Sequence, residues 1–258
     1  MLRKVLWPVF LLLAIFLFSD LSAQAALNPI FTESHREFTI TAEGGYFRRQ
    51  IYNIDNKSPI LTLKATLGLA EKFDLFARVG AANLSLTLAD SANSVFEDEY
   101  HLAYGGGFSW RLWHHRRLRL ALLTGAQFFR FKSSPARGTP FSISETEILQ
   151  ILEMQYDWRE FSGNVGLTKG LGFLTMFFGV NARIIQRKEA RVEKLLFGTD
   201  PVSVEAVSGR YTSGVLMDPS VGIDLDFGHR FKLSAEATGR NRSDLAIYFS
   251  LSQTGRPR

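Results

Sequence analysis

The chain has 258 residues, no cysteine and a formal net charge of +5 at pH 7. Without disulfides, its stability has to come from a packed core or from closure of backbone hydrogen bonds. The charge is too small to argue for nucleic-acid binding, and past residue 25 no apolar run approaches the roughly 20 residues of a membrane-spanning helix, so a helical membrane bundle is excluded.

Residues 1–25 read as a cleaved export signal. Arg3 and Lys4 precede an apolar stretch over residues 5–18, interrupted only by Pro8, and Ala23-Gln24-Ala25 supplies the small-x-small pattern of a signal-peptidase site. The run is short for a spanning anchor. Residues 26–258 are then the mature domain, and with no Cys after the signal a lipid-anchored form is not expected.

The mature chain alternates apolar and polar residues with period two almost to its end. Leu61, Leu63, Ala65, Leu67 and Leu69 share one face, opposite Thr62, Lys64, Thr66 and Gly68. Phe73, Leu75, Ala77 and Val79 alternate with Asp74, Phe76, Arg78 and Gly80, and Val221, Ile223 and Leu225 with Gly222, Asp224 and Asp226. Such segments predict ten strands near 37–51, 59–70, 72–88, 99–113, 117–131, 146–168, 171–188, 212–228, 230–240 and 243–253. Apolar parity switches at Asn83 and again at Glu160, which predicts a β-bulge at each. Short links at 70–72, 113–117, 169–170 and 228–230 alternate with longer polar segments at 53–58, 89–98, 133–145 and 189–211; only 240–243 breaks the trend. Residues 189–197 read as an amphipathic helical turn in the longest loop, where a partner would dock.

An even number of antiparallel strands, short turns at one end and long loops at the other define the outer-membrane arrangement, with both termini in the periplasm. The predicted fold is therefore all-β: an antiparallel up-and-down transmembrane β-barrel of about ten strands, with eight as the alternative. A soluble barrel would turn its apolar face inward, but that face carries Phe108, Trp110, Phe128, Phe178 and Phe227 among many others, too many large groups for one barrel interior at normal packing density. The polar face holds Gly45, Gly68, Gly80, Gly105, Gly107, Gly125, Gly166, Gly179 and Gly222, which would weaken a water-facing surface but leave room on a concave one. A two-sheet sandwich is the competing arrangement. Aromatics near the strand ends suit two interfacial girdles: Phe38, Phe73, Trp113, Phe173 and Phe231 at one, Tyr52, Tyr100, Phe131, Tyr156 and Tyr211 at the other.

Parity assigns Glu43, Lys64, Asp74, Arg78, Arg111, Arg119, Glu153, Asp157, Arg183, Asp224, Asp226, Lys232 and Glu236 to the lumen. Enclosed charges must pair, so an ion-pair network that fills the barrel is expected rather than a wide pore, which needs about sixteen strands.

With its signal peptide, amphipathic strands such as Leu61–Leu69 and turn pattern, the chain resembles small outer-membrane barrels of the outer-membrane-protein-A and opacity-protein type. The resemblance is architectural. It implies a membrane anchor, an adhesin or a narrow pore, placed in the bacterial outer membrane by the barrel assembly machinery. Members commonly end on an aromatic residue; here the chain ends in the stretch Ser252 to Arg258 and the nearest aromatic is Phe249.

Catalytic signatures are sparse. Asp224 and Asp226 with nearby His229 have the composition of a rim protease site, but His229 falls on a periplasmic turn and ion pairing explains the acids more simply. His101 is the one strand His on the lumen face, and Ser109 is too far along the same strand to join it in acyl chemistry. His114 and His115 sit in a basic turn. No catalytic, metal or cofactor site is assigned. Arg130, Lys132, Arg137, Arg187, Lys188, Arg191 and Lys194 could meet lipopolysaccharide phosphates, although neighbouring acids make a mixed solvated surface the simpler reading. The leading expectation is a non-enzymatic, monomeric barrel with an envelope-structural or surface-interaction role, whose partners are outer-membrane lipids and lipopolysaccharide. A narrow solute channel and an outer-membrane lipid A-modifying enzyme or protease are the alternatives.

Overall fold

The computed structural model describes residues 37–255, apart from 52–53, 89–94, 144–145, 198–199, 229 and 242–243. The export signal expected over residues 1–25 lies outside them. Alternation becomes fourteen strands: β1 (Phe38–Ile51), β2 (Ile54–Ala70), β3 (Phe73–Ala82), β4 (Ser85–Leu88), β5 (Val95–Phe96), β6 (His101–His115), β7 (Leu120–Ser133), β8 (Ala136–Ile143), β9 (Thr146–Leu171), β10 (Leu174–Phe197), β11 (Asp200–Thr212), β12 (Leu216–Asp226), β13 (Phe231–Asn241) and β14 (Asp244–Gly255). Ten of these form an antiparallel ring in the order β1, β2, β3, β6, β7, β9, β10, β12, β13, β14. The ring closes between β14 and β1, from Phe38↔Gly255 to Arg49↔Asp244. Closure satisfies the backbone within the sheet, as a solvent without hydrogen-bond partners demands.

Of the other four strands, β5, β8 and β11 belong to the expected long loops, and β4 is the outer end of the strand expected at 72–88. β4 continues β3 along β2 in one register, Ile60↔Ala82 and then Lys57↔Ser85. β8 continues β7 along β9 in the same way, Ser133↔Tyr156 and then Ala136↔Glu153. β11 runs down β10 and passes into β12 after a one-residue slip, Gln186↔Thr212 against Arg183↔Leu216. Much of 133–145 and 189–211 is thus strand rising beyond the membrane. Residues 189–197 are not helical: Arg191, Val192, Glu193 and Lys194 suit either period, and pairing with β9 on one edge and β11 on the other decides for sheet.

Neither predicted bulge forms. The ladders run through Asn83 and Glu160 without a slip, and even-numbered residues keep facing inward. Asp74 and Arg78 are followed on that face by Ala82, Leu84 and Leu86; Ser162 and Glu160 are followed by Trp158 and Tyr156. The lumen changes from polar to apolar at these points while the backbone parity stays constant. The strand pauses at Asn83 because its partner Pro59 has no N–H to return, and only the Asn83 N–H to Pro59 carbonyl bond remains, at 3.3 Å. Real register slips lie elsewhere, at 68/70, 111/113, 195/196 and 239/241.

Inside and outside are inverted relative to a water-soluble barrel. Leu63 (58 % exposed), Leu75 (44 %) and Ile223 (43 %) point outward, while Asp74 and Asp224 are fully enclosed. All nine glycines on the polar face take inward positions, and one use is visible at Phe177. Its ring lies across Gly166 and Gly179, and a Cβ on either would collide with it, at 2.7 Å from Cζ for Gly179. Gly166→Val should therefore lower the urea midpoint of the folded barrel, and Phe177→Ala in the same chain should recover part of the loss; no recovery would show that the ring is not the obstacle.

Candidate functional site

The periplasmic half of the lumen is built around Glu43. Lys64 Nζ lies 2.6 Å from Glu43 Oε1 and Arg78 Nη1 3.5 Å from Oε2, and Thr62 Oγ1 donates to Oε2 at 3.0 Å. The cationic groups of Lys64 and Arg78 also stand over the Phe76 ring, at 5.6 and 5.2 Å. Ser109 Oγ donates to Asp74 Oδ2 at 3.3 Å. Asp224 and Glu236 are buried beside this group. Asp226 and Lys232 stand opposite each other in the β12–β13 register, half-buried near the periplasmic turn.

A second network lies further out. Arg183 sits between Asp218 (2.7 Å) and Asp244 (2.6 Å), Arg49 reaches Asp244 at 2.8 Å, and Arg240 reaches both acids, at 3.1 and 2.7 Å. Each acid is shared by at least two cations on different strands, which compensates for loss of water around the charges. Arg187 pairs with Glu189 at 2.7 Å and lies against the Tyr156 and Tyr211 rings, at 5.0 and 5.8 Å.

An apolar core occupies the outer half of the lumen. Phe47, Ile51, Ile60, Leu84, Leu86, Phe96, Phe129, Phe131, Tyr156, Trp158, Ile185 and Tyr248 form one buried cluster. In a ring of ten, five steps reach the opposite wall, and two contacts make that crossing. The Phe47 ring on β1 is 5.1 Å from the Trp158 ring on β9. Arg187 Nη1 on β10 donates to Asn56 Oδ1 on β2 at 3.3 Å. Side chains from facing walls meet at the centre.

Three residues expected in the lumen are not there. Arg119 is exposed in the periplasmic turn 116–119, where its left-handed backbone (φ 49°) ends the strand parity. Glu153 and Asp157 point outward, because parity on β9 does not change at Glu160. Glu153 pairs with Lys194 at 3.1 Å, on the sheet above the membrane. Arg111 lies at the periplasmic mouth and donates to the Glu71 carbonyl. Parity reading missed Arg49, Glu160, Arg187, Asp218 and Asp244, all buried inside. The outer aromatic girdle also needs correction: Phe131 and Tyr156 are buried in the lumen core, Tyr211 packs against it, and Tyr52 lies outside the described residues.

Asp157 instead organises the outer wall just above the apolar belt. It accepts from Arg130 Nε and Nη2 at 2.8 and 2.9 Å and from Arg159 Nη2 at 2.8 Å. Partial burial works against its charge, but the hydrogen bonds from Arg159 and Arg130 and their positive charges hold the carboxyl down at about 2. On the outer rim, Asp98 accepts from Ser133 Oγ (2.5 Å) and the Ser134 N–H (2.7 Å) and pairs with His101 Nε2 (3.0 Å).

The residues considered for catalysis do not assemble. His101 is engaged by Asp98, Ser109 by Asp74, and His229 lies outside the described residues. Among the described residues, no group of three His, Asp or Glu side chains is arranged to hold a metal ion.

A closed ring with oily side chains outward, ionised ones enclosed, short turns at one end and tall strands at the other defines an outer-membrane β-barrel. No family model matches the chain, and no curated protein matches it in sequence. Among solved structures it is similar to an outer-membrane channel from Pseudomonas putida F1, with 6% identity, 90% of this chain and 100% of that one covered, and a TM-score of 0.46. It is similar also to the translocator domain of the autotransporter NalP from Neisseria meningitidis, with 13% identity, 87% and 90% coverage and a TM-score of 0.41. A third is Ail, the attachment invasion locus protein of Yersinia pestis, with 11% identity, 86% and 97% coverage and a TM-score of 0.34. Likeness at this level does not extend to what those proteins do.

Two outcomes are expected. Arg183→Leu leaves Asp218 and Asp244 enclosed without the cation between them, at a cost of about 3–5 kcal/mol read from the urea midpoint in vesicles. Arg240→Gln, on the exposed arm of the same network, should lower the midpoint far less; equal losses would contradict the central place of Arg183. For Asp157, a folded pKa below the unfolded value near 3.9 stabilises the protein fully above about pH 4, and the gain disappears as pH falls toward 2. The stability difference between wild type and Asp157→Asn should thus stay level from about pH 7 to pH 5 and shrink below about pH 4.

Proposed function

We propose that this protein is a sealed, non-enzymatic barrel of the bacterial outer membrane that anchors a stiff β-sheet platform at the cell surface. The observation that carries the reading is the meeting of opposite walls, Phe47 with Trp158 and Arg187 with Asn56. An open channel needs a continuous water path. Here apolar side chains lie across the outer half of the lumen, with the Arg49–Asp244–Arg183 network set among them and the charged group around Glu43 beneath. Eight-stranded barrels are filled by side chains and open porins have about sixteen strands, so ten strands fall near the filled end.

The platform follows from strand length. β9 has 26 residues and β10 has 24, each more than twice the roughly 9–11 that a tilted strand needs to cross a bilayer. The excess, flanked by β8 and β11, forms a four-stranded sheet standing outside the membrane, placed for surface interaction rather than transport. An outer-membrane address is supported by the apolar exterior together with the export signal read over residues 1–25.

Planar-bilayer recording tests the reading. Purified wild-type protein should give no stable conductance, and Phe131→Ala with Trp158→Ala, which removes the centre of that apolar layer, should admit small ion currents. Large, steady currents through the unaltered protein would refute a sealed lumen.

A further inference from the structure

We propose that the outer wall formed by β7, β9, β10 and β11 holds a phosphorylated lipid of the surrounding leaflet, its phosphates on a cationic row and an acyl chain in the apolar groove beneath. The inference rests on the membrane-spanning reading above, and it is independent of whether the lumen conducts.

The site is visible as four cross-strand rows on the outward face. The top row is Lys132–Asp157–Lys188–Arg210, in register across the four strands. Next comes Arg130–Arg159–Gln186–Thr212. Below these the chemistry changes at once, to Phe128–Phe161–Ile184 and then to Ala126–Gly163–Ala182. Successive rows are about 6.7 Å apart along the strands, so the row of small residues lies about 13 Å along the strands from Arg130 and Arg159, or about 10 Å in depth once the strand tilt is included. That depth falls within one leaflet, half of the roughly 30 Å hydrocarbon core.

Two concavities flank the Arg130–Arg159 row, one above it and one below. The upper one, about 640 Å³, is lined by Lys132, Asp157, Lys188, Glu189, Ser208 and Arg210, and of its two acids Asp157 is taken up by Arg130 and Arg159 and Glu189 by Arg187. The lower one, about 530 Å³, is lined by Gly106, Ala126, Phe161, Gly163, Ala182 and Val215. Small side chains in register leave the notch, and the Phe128–Phe161 pair, with ring centroids 5.0 Å apart, forms its upper lip. A polar hollow above an apolar one, with the Arg130–Arg159 row between them, has the profile of a single amphiphile.

Charge selects which amphiphile. The two top rows hold five cations and one acid. Asp157 spends its two oxygens on Arg130 and Arg159, fixing both guanidinium groups at the rim. Lys132, Lys188 and Arg210 are exposed, and among the described residues none has an ion-pair partner. Guanidinium and ammonium groups at a hydrocarbon boundary favour phosphate oxygens. The wall formed by β1 and β2 offers a contrast: there Arg48 and Lys57 both converge on Asp55, at 2.8 and 3.6 Å.

The test uses the full chain folded in detergent, with native mass spectrometry and equilibrium titration against three probes: bisphosphorylated lipid A, the same lipid A after enzymatic dephosphorylation, and inorganic pyrophosphate. One bisphosphorylated lipid A should bind at least tenfold more tightly than the dephosphorylated form and more tightly than pyrophosphate. Lys132→Gln, Lys188→Gln and Arg210→Gln together should abolish the preference for phosphate. Ala182→Phe, which fills the notch, should weaken lipid A several-fold and leave the phosphate preference intact. Equal binding of the two lipid A forms, or full binding by the triple variant, would overturn the site. Pyrophosphate binding as tightly as lipid A would reduce the site to a soluble-anion surface and overturn the lipid assignment. Conductance reads the lumen and is blind to this wall, so the two proposals fail separately.

Discussion

A peptide group in hydrocarbon finds no partner outside the protein, so a chain that crosses a bilayer as strands has to close its sheet on itself. That requirement accounts for the ring of ten, for the Phe38↔Gly255 to Arg49↔Asp244 seam between the first and last strands, and for the side-chain inversion. Once the sheet is closed, period two leaves each residue only two destinations. Leu63 and Ile223 go to lipid, where they displace nothing costly, and Asp74 and Asp224 go to the only enclosed space available. Polar burial here follows from topology, and the ion pairs around Glu43 and Arg183 are the compensation.

The interior has two layers with different physics. Toward the periplasm, charges and hydroxyl groups hold one another in a medium where an unpaired ion would be expensive. Toward the outside, aromatic and aliphatic groups pack as they would in a water-soluble domain, around the Arg49–Asp244–Arg183 network set among them. The second layer matches the strand extensions above it: once β8 to β11 leave the membrane, their surroundings are water, and an apolar inner core becomes the ordinary solution. The protein therefore changes from membrane barrel to soluble sheet along the length of single strands.

Much of this was legible in the residues. The ten barrel strands, the short and long ends, the outward apolar face and the inward glycines all follow from alternation. Parity of hydrophobicity, however, is not parity of the backbone. At Leu84 and Leu86, and at Trp158 and Tyr156, apolar residues enter the lumen face, so a change in lumen chemistry has the sequence pattern of a bulge. Equating the two parities places Asp157 and Glu153 inward and hides Glu160. Arg49 and Asp218 were hidden differently. Each lies near a strand end, where period two is shortest and least distinct, and their pairing with Asp244 and Arg183 joins strands far apart in the chain. The cationic rows on the outer wall depend on the register between β7, β9, β10 and β11, which no single strand reveals.

The β9–β10 ladder runs without a slip from Leu174↔Leu171 at the periplasmic turn to Phe197↔Ile148 beyond the membrane. A hairpin of that length behaves as one beam. Because its lower part is braced from within by groups reaching the far wall, the cylinder resists flattening. A sideways pull at the outer tip is then taken up by tilting of the whole barrel in the bilayer, with the load borne by the surrounding lipid rather than by a hinge in the protein.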